Sequence, residues 1–236
     1  MARYYFLVSC LPPMPLALGE KVPMSFEDIS NLIFRNIEPV DEPLVRCCLQ
    51  AIDTANVEYY LQGQDVFLPG GSLTREEIET KKHLPSFMKI FIEEKEKGVR
   101  RGYSYDSLWE KYYAYAYSLA EELNCRFLID YLSWEVGLRN ALAEIRARAS
   151  GKEAEDYQIQ VRAGGHDFSG IISQLKMQQN PLKAEQFLDE ERLRRIYHCE
   201  GADPFSRDVV LARLENARIY SRWEKLHTIY PVRDII

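Results

Sequence analysis

The chain has 236 residues, is 46% hydrophobic and 28% charged, and carries a net charge of −6 at pH 7. That composition supplies ample apolar side chains for one large domain or two smaller lobes, while the acidic balance argues against general nucleic-acid affinity, which requires clustered cations. The five cysteines, Cys10, Cys47, Cys48, Cys125 and Cys199, are odd in number and lack C-x-x-C spacing, a pattern of reduced thiols and not of a disulfide framework.

In chain order, Tyr4 to Leu11 is aromatic and β-branched and stops at Pro12 and Pro13, which predicts a short strand or extended arm. The apolar run is too short, and lacks the basic flank, for a signal peptide. No run approaches the roughly 20 residues needed to span a bilayer. Pro12, Pro13, Pro15 and Pro23 make an irregular connector. Ser25–Asp28 opens a helix whose Phe26, Ile29, Ile33 and Ile37 share one face. Pro39 and Pro43 end it and seed another, with Leu44, Cys48, Ala51, Ala55 and Tyr59 along its apolar side.

Gly63, Pro69, Gly70 and Gly71 mark a loop, and Thr74–Glu77 is a capping box leading a charged helix to about His83. Pro85 starts a helix bearing Phe87, Ile90 and Phe91, and Gly98–Tyr103 is a basic turn. Next comes the longest helical stretch, Ser107 to Ala149, with no proline and a single glycine, Gly137. Ser107 and Glu110 form a second capping-box pattern, and Gly151 suits a left-handed helix end. Unbroken, it would run roughly 60–65 Å. Its apolar stripe passes through Leu108, Tyr112, Tyr115, Leu119 and Leu123, then Phe127, Tyr131, Trp134, Leu138, Leu142 and Ile145. The drift between the halves predicts a bend near Asn124, which could also cap a second helix. Trp109, Leu119, Leu123, Phe127 and Leu142 are expected to be mostly buried. A polar stretch, Lys152–Gln160, precedes the glycine-rich Gly164–Gly170. Helices follow from about Phe168, from Pro181 through Tyr197, and from about Ser206, the last carrying Val210, Leu214, Ala217, Tyr220 and Leu226. Phe26, Phe168 and Phe205 each precede a similar helix start, a faint echo that chance similarity explains as well as duplication.

Few of these residues carry chemistry. Tyr103, Tyr105, Trp109, Tyr112, Tyr113, Tyr115 and Tyr117 read either as a stacking surface or as core packing with phenol tips reaching solvent. Glu224 and His227 have the E-x-x-H spacing of di-iron bundles, but the chain has no second copy, and His83, His166 and His198 lack that spacing. Gly164–Gly170 holds Ser, His and Asp yet matches neither a phosphate loop nor a nucleophile elbow, and reads as a turn before a helix. A triad requires a base brought to the serine by the fold, which crowding in sequence does not supply. Arg139, Arg146 and Arg148, and Arg192, Arg194 and Arg195, are interleaved with Glu144, Glu190 and Glu191. They read as solvated faces with short-range ion pairs, or as docking points for an acidic partner. The sequence therefore assigns no catalytic, cofactor-binding or metal-binding residue, and leaves partner-binding residues unassigned.

Three segments carry a family likeness: Tyr4–Pro12, Tyr131–Asn140 continuing through Ala141 to Gly151, and Ile219–Trp223. They resemble an uncharacterised bacterial family encoded among the genes of V-type ATP synthases. That family looks like a shortened relative of the V/A-type ATPase C (d-type) subunit, an all-helical funnel joining the central stalk to the membrane ring. The resemblance implies a non-enzymatic subunit without cofactors that couples or anchors the stalk to the ring during proton or sodium transport. It would be cytoplasmic and peripheral to the inner membrane through its partner subunits, without membrane insertion or nucleic-acid binding. The alternative is a cytosolic helical adaptor unrelated to the ATPase; a metal-dependent helical enzyme would rest on Glu224 and His227 alone. The expected fold is all-α, an elongated multi-helix bundle with the strand-like N-terminal arm. It is read as a single unit over 1–236, or as lobes 1–150 and 151–236 sharing the long central helix, with a boundary near Gly151.

Overall fold

The computed structural model describes residues 3–98, 105–162 and 164–229, with the side chains of 227–229 outside the description. The described residues are all-helical, with no strand. They form ten α-helices: α1 (Tyr5–Cys10), α2 (Phe26–Asn36), α3 (Glu42–Leu61), α4 (Arg75–Glu79), α5 (Ser86–Glu96), α6 (Asp106–Glu122), α7 (Arg126–Ala149), α8 (Ser169–Lys176), α9 (Pro181–Cys199) and α10 (Arg207–Ile229). A 3₁₀ turn occupies Ala154–Asp156. The chain divides into two compact units, Met1–Val45 with Ser173–Ile236, and Arg46–Ile172. The divisions fall inside α3 and α8, and Gly151 lies within the second unit.

In the first unit, α10 packs on α9, α2 and α1. Its core includes Leu7, Ile29, Ile33, Ile196, Leu211, Leu214 and Trp223, each no more than 3% exposed. The N-terminal segment is a helix and not the expected strand. An isolated strand would leave its backbone groups unpaired, whereas a helix satisfies them locally. Here Val8 N–H donates to Tyr4 O at 2.9 Å and Leu11 N–H to Leu7 O at 3.1 Å, while Leu7 is buried. Ser25 caps α2 by accepting from Asp28 N–H, as the sequence pattern predicts. Two buried carboxylates hold this unit together. Asp41 accepts from the Tyr4 hydroxyl at 2.6 Å and from Arg207 Nη1 at 2.8 Å. Asp189 accepts from Arg192 Nη1 at 2.9 Å, from Trp223 Nε1 at 2.6 Å and from Arg222. Each links segments far apart in sequence, and both carboxylates are buried. Such sites lose stability sharply when one partner is removed, because the remaining charge is left buried and unpaired.

In the second unit, α6 packs against α5 and α7, and α7 against the 3₁₀ turn. The long helical stretch, expected to bend or to begin a second helix near Asn124, is two helices that part there. α6 closes at Leu123, and Asn124 takes a left-handed conformation with φ +51°. Asn124 N–H donates to Glu121 O at 3.1 Å and Cys125 N–H to Ala120 O at 2.8 Å. This is the paired hydrogen-bond pattern of a Schellman turn, in which asparagine substitutes for the usual glycine. Asn124 thus ends α6, and Cys125 occupies the N-cap of α7 with no side-chain cap. At the far end, Gly151, with φ +66°, closes α7 in the same manner, through Lys152 N–H to Ala147 O at 2.9 Å.

The capping box predicted at Ser107 and Glu110 does not form: Tyr105 is the N-cap of α6 and makes no side-chain cap. Glu110 Oε2 instead accepts from Gln160 N–H at 2.8 Å, so tertiary packing takes the carboxylate the local pattern would have used. The box at Thr74 and Glu77 is complete, but α4 ends at Glu79, short of His83. The buried face of α6 is Leu108, Tyr112, Tyr113, Ala116, Tyr117 and Ala120. It is turned away from Leu119 and Leu123, which are half-buried, as is Trp109. Phe127 and Leu142 are buried as expected. On α5, Ile90 is 49% exposed, and Met88 takes its place in the core. The expected basic turn Gly98–Tyr103 lies outside the described residues except for Gly98.

Candidate functional site

The aromatic set of α6 is core material. Tyr112, Tyr113 and Tyr117 are buried, and Trp109 and Tyr115 half-buried; Tyr103 lies outside the described residues. The polar tips turn inward and bond to α3 instead of reaching solvent. Trp109 Nε1–H donates to Glu58 Oε2 at 2.7 Å, the Tyr112 hydroxyl to Cys47 O at 3.3 Å and the Tyr105 hydroxyl to Leu61 O at 3.0 Å. Arg139 lies over the Trp109 ring, 4.4 Å from its centroid. That cation is therefore engaged by the protein's own ring electrons.

Three of the other arginines that the sequence offers as docking points have local partners. Arg148 pairs with Glu144 and Arg194 with Glu191; Arg192 reaches the buried Asp189. Arg146 is exposed and Arg195 half-buried. The pattern is the solvated face with short-range ion pairs.

Glu224 Oε1 accepts from Val22 N–H at 3.3 Å, and the His227 side chain lies outside the described residues. Among the described residues no group of three His, Cys, Asp or Glu side chains is placed to hold a metal ion. His83 Nδ1 lies 2.9 Å from Glu77 Oε1 on an exposed surface, and His198 is exposed.

Polar side chains in the second unit fasten its non-helical segments. Asn56 clamps the loop between α3 and α4, accepting from Leu68 N–H at 2.7 Å and donating to Leu68 O at 2.9 Å. One turn earlier on α3, Asp53 is fully buried and accepts from Ser72 N–H at 3.0 Å, Ser72 Oγ at 2.6 Å and Leu73 N–H at 3.0 Å. Burial pushes the Asp53 carboxyl above the ordinary carboxylate range, although these donors oppose the shift. Asn140 does the same work on α7, donating to Ile159 O at 3.0 Å and accepting from its N–H at 2.8 Å. These side chains carry no motif, and their partners lie 12 to 20 residues away, so no local sequence signal marks them.

The Gly164–Gly170 segment leads into a helix, as expected. Asp167 accepts from Ser169 N–H at 2.8 Å and from Ser169 Oγ at 3.0 Å just as α8 begins. The serine and aspartate of the motif thus satisfy each other. Its histidine faces a serine from elsewhere. His166 N–H donates to Gly164 O at 2.8 Å in a tight turn. A Cβ on Gly164 would lie 2.5 Å from Ser133 Oγ and 2.7 Å from His166 Nε2. Only a residue without a side chain lets the imidazole and the α7 hydroxyl crowd the same point. The Tyr117 hydroxyl, from α6, is buried and faces Ser133, which acts on it as a side-chain hydrogen-bond partner. Burial pushes this phenol above its ordinary range, opposed by Ser133 and Arg162. Ser133 of α7 thus meets Tyr117 of α6 on one side and the Gly164–His166 turn on the other, a juxtaposition that no sequence motif announces.

A family model matches residues 1–180, and its description is "Protein of unknown function (DUF2764)". The chain belongs to that family. No curated protein and no solved structure matches the chain.

Proposed function

We propose that this member of the DUF2764 family is a non-enzymatic subunit of a bacterial V/A-type ATPase, coupling or anchoring the central stalk to the membrane ring. The reading begins from the segments that resemble the family encoded with V-type ATP synthases, and from the resemblance of that family to the C subunit. The observation that carries it is where apolar surface lies. Among the described residues, the most exposed large apolar side chains are Leu16 at 99%, Met177 at 73%, Tyr197 at 69%, Phe6 at 67% and Val40 at 60%. All five belong to the first unit. Isolated exposed apolar residues are ordinary on protein surfaces; their concentration in one unit supports docking through that unit. No helix among the described residues is long and apolar enough to cross a membrane, so attachment to the membrane sector is assigned to partner subunits.

The test is isolation of the native chain from its own cells under mild conditions. Co-purification with ATPase catalytic and stalk subunits, lost when Phe6 and Tyr197 are both replaced by serine, is the expected outcome. A chain that recovers none of these subunits, from a gene outside any ATPase operon, overturns the reading in favour of a cytosolic helical adaptor.

A further inference from the structure

We propose that the proline-rich loop between α1 and α2 is a docking element, whose Pro13 and Leu16 seat in an aromatic-lined groove of a partner protein. This docking rests on the reading that the first unit meets a partner, but not on that partner being an ATPase subunit.

An apolar run is left uncovered in this loop. From Tyr4 to Gly19 the chain has no charged residue, and Pro12–Leu18 reads Pro-Pro-Met-Pro-Leu-Ala-Leu. None of these side chains is buried; Pro13, Leu16 and Ala17 are exposed, Leu16 at 99%. A lone exposed leucine is ordinary, but an uncovered run of consecutive apolar residues is a liability unless something binds it.

The run is also held in shape. Leu11 and Val22, both buried, pin its ends, and Val22 N–H donates to Glu224 Oε1 of α10 at 3.3 Å. At the tip, Glu20 Oε2 accepts from Leu16 N–H at 3.2 Å and from Ala17 N–H at 3.4 Å. Each proline ring fixes its own φ near about −65°. Leu11, Pro12 and Met14 each precede a proline, which drives them to extended backbone, and Leu11 has φ −73° and ψ 127°. Covalent chemistry thus sets Pro12–Pro15 towards the polyproline II form, and no helix or turn interrupts it.

That form repeats every three residues, with a rise of about 3.1 Å per residue. Pro13 and Leu16 therefore share one edge, roughly 9 Å apart. Both are exposed, whereas Pro12, Met14 and Pro15 are half-buried. A ridge of this kind has little conformational entropy left to lose, and grooves lined by aromatic rings recognise it. Other occupants fit less well. The run offers no cation to lipid headgroups, and the net charge of −6 disfavours an anionic bilayer. A ridge this short offers far less than the roughly 800 Å² per partner that a stable dimer of this chain would bury.

The test places a photoreactive benzophenone amino acid at position 13 or 16 of the full chain in its own cells, and maps the cross-linked product by mass spectrometry. The expected product joins both positions to one partner protein, at an aromatic-rich segment. Purified, that partner should bind the full chain. Leu16→Ser and Pro13→Ala should each weaken binding by at least about tenfold, while Leu16→Met, which keeps the apolar volume, should hold it within about threefold. Because Leu16 is exposed, Leu16→Ser should melt at the parent temperature, which separates lost binding from lost fold. The proposal is overturned by cross-links only to lipid, to a second copy or to a segment without aromatic residues, by no cross-link at all, or by unchanged binding of Leu16→Ser. ATPase subunits that co-purify while neither position cross-links would sink the loop and leave the coupling reading standing. A cross-linked partner from outside the ATPase would do the reverse.

Discussion

At the scale of single residues, the second unit depends on a close approach that only glycine permits. A Cβ on Gly71 would sit 2.0 Å from Asp53 Oδ1, a carboxylate fixed by three donors and unable to retreat cheaply. Gly71→Ala is expected to destabilise the protein by about 1–3 kcal/mol, the usual cost of overpacking. Gly165→Ala, where the added carbon meets nothing within 4 Å, should change stability by less than about 0.5 kcal/mol. Urea denaturation of the two variants checks the contrast. Asp53 also implies a pH dependence. Its folded carboxyl titrates above the ordinary range, so the unfolded chain releases that proton first as pH rises. The contribution of Asp53 to stability is therefore full below the ordinary carboxylate value and falls as pH climbs through the raised folded value. The nearby Glu77 carboxylate adds to the upward shift. Asp53→Asn should remove this component from a plot of urea midpoint against pH. An unchanged slope would show that Asp53 is not its source.

At the scale of elements, the break between α6 and α7 shows how local preference and tertiary packing share the outcome. Nothing in Ser107–Ala149 forbids one continuous helix by propensity, and the apolar spacing drifts only gradually. The turn at Asn124 uses one of the few non-glycine residues that tolerates a left-handed conformation. Closing α6 there leaves α7 free to bury its own face, with Phe127, Val136 and Leu138 each fully enclosed. The consequence is measurable at two leucines that look alike in sequence. Leu138→Ala should cost about 2–5 kcal/mol, because a fully buried leucine leaves a cavity. Leu123→Ala, at the half-buried C-cap of α6, should cost clearly less. Equal losses in chemical denaturation would mean that Leu123 is as deeply packed as Leu138.

At the scale of the whole molecule, the charge distribution bears on how a partner would be met. Most of the arginines read as docking points are paired with carboxylates on their own helices or cover aromatic rings. The net charge of −6 is thus the electrostatic feature a distant partner senses first. Under the proposed coupling function, association with reconstituted stalk and ring should slow as salt is added, with a smaller effect on dissociation, because long-range charge acts mainly on encounter. Stopped-flow or surface-binding kinetics at several salt concentrations would check this. Association that does not respond to salt would mean that apolar contact, and not charge, governs the encounter.

The all-α class, the positions of α2, α5, α9 and α10, the Thr74 capping box and the glycine end of α7 were legible from the amino acids alone. Each depends on interactions within a few residues: apolar spacing, a cap, a proline or a left-handed turn. The helical form of Tyr5–Cys10 and the diversion of Glu110 from its capping box to Gln160 required the tertiary structure. So did the rotation of the buried face of α6 and the meeting of Tyr117, Ser133 and His166. In each of these, backbone or side-chain groups were satisfied by partners far away in sequence, or by the lack of a neighbouring strand. Local pattern fixes what a segment can form by itself, whereas the buried polar groups choose among those forms by the partners that folding brings to them.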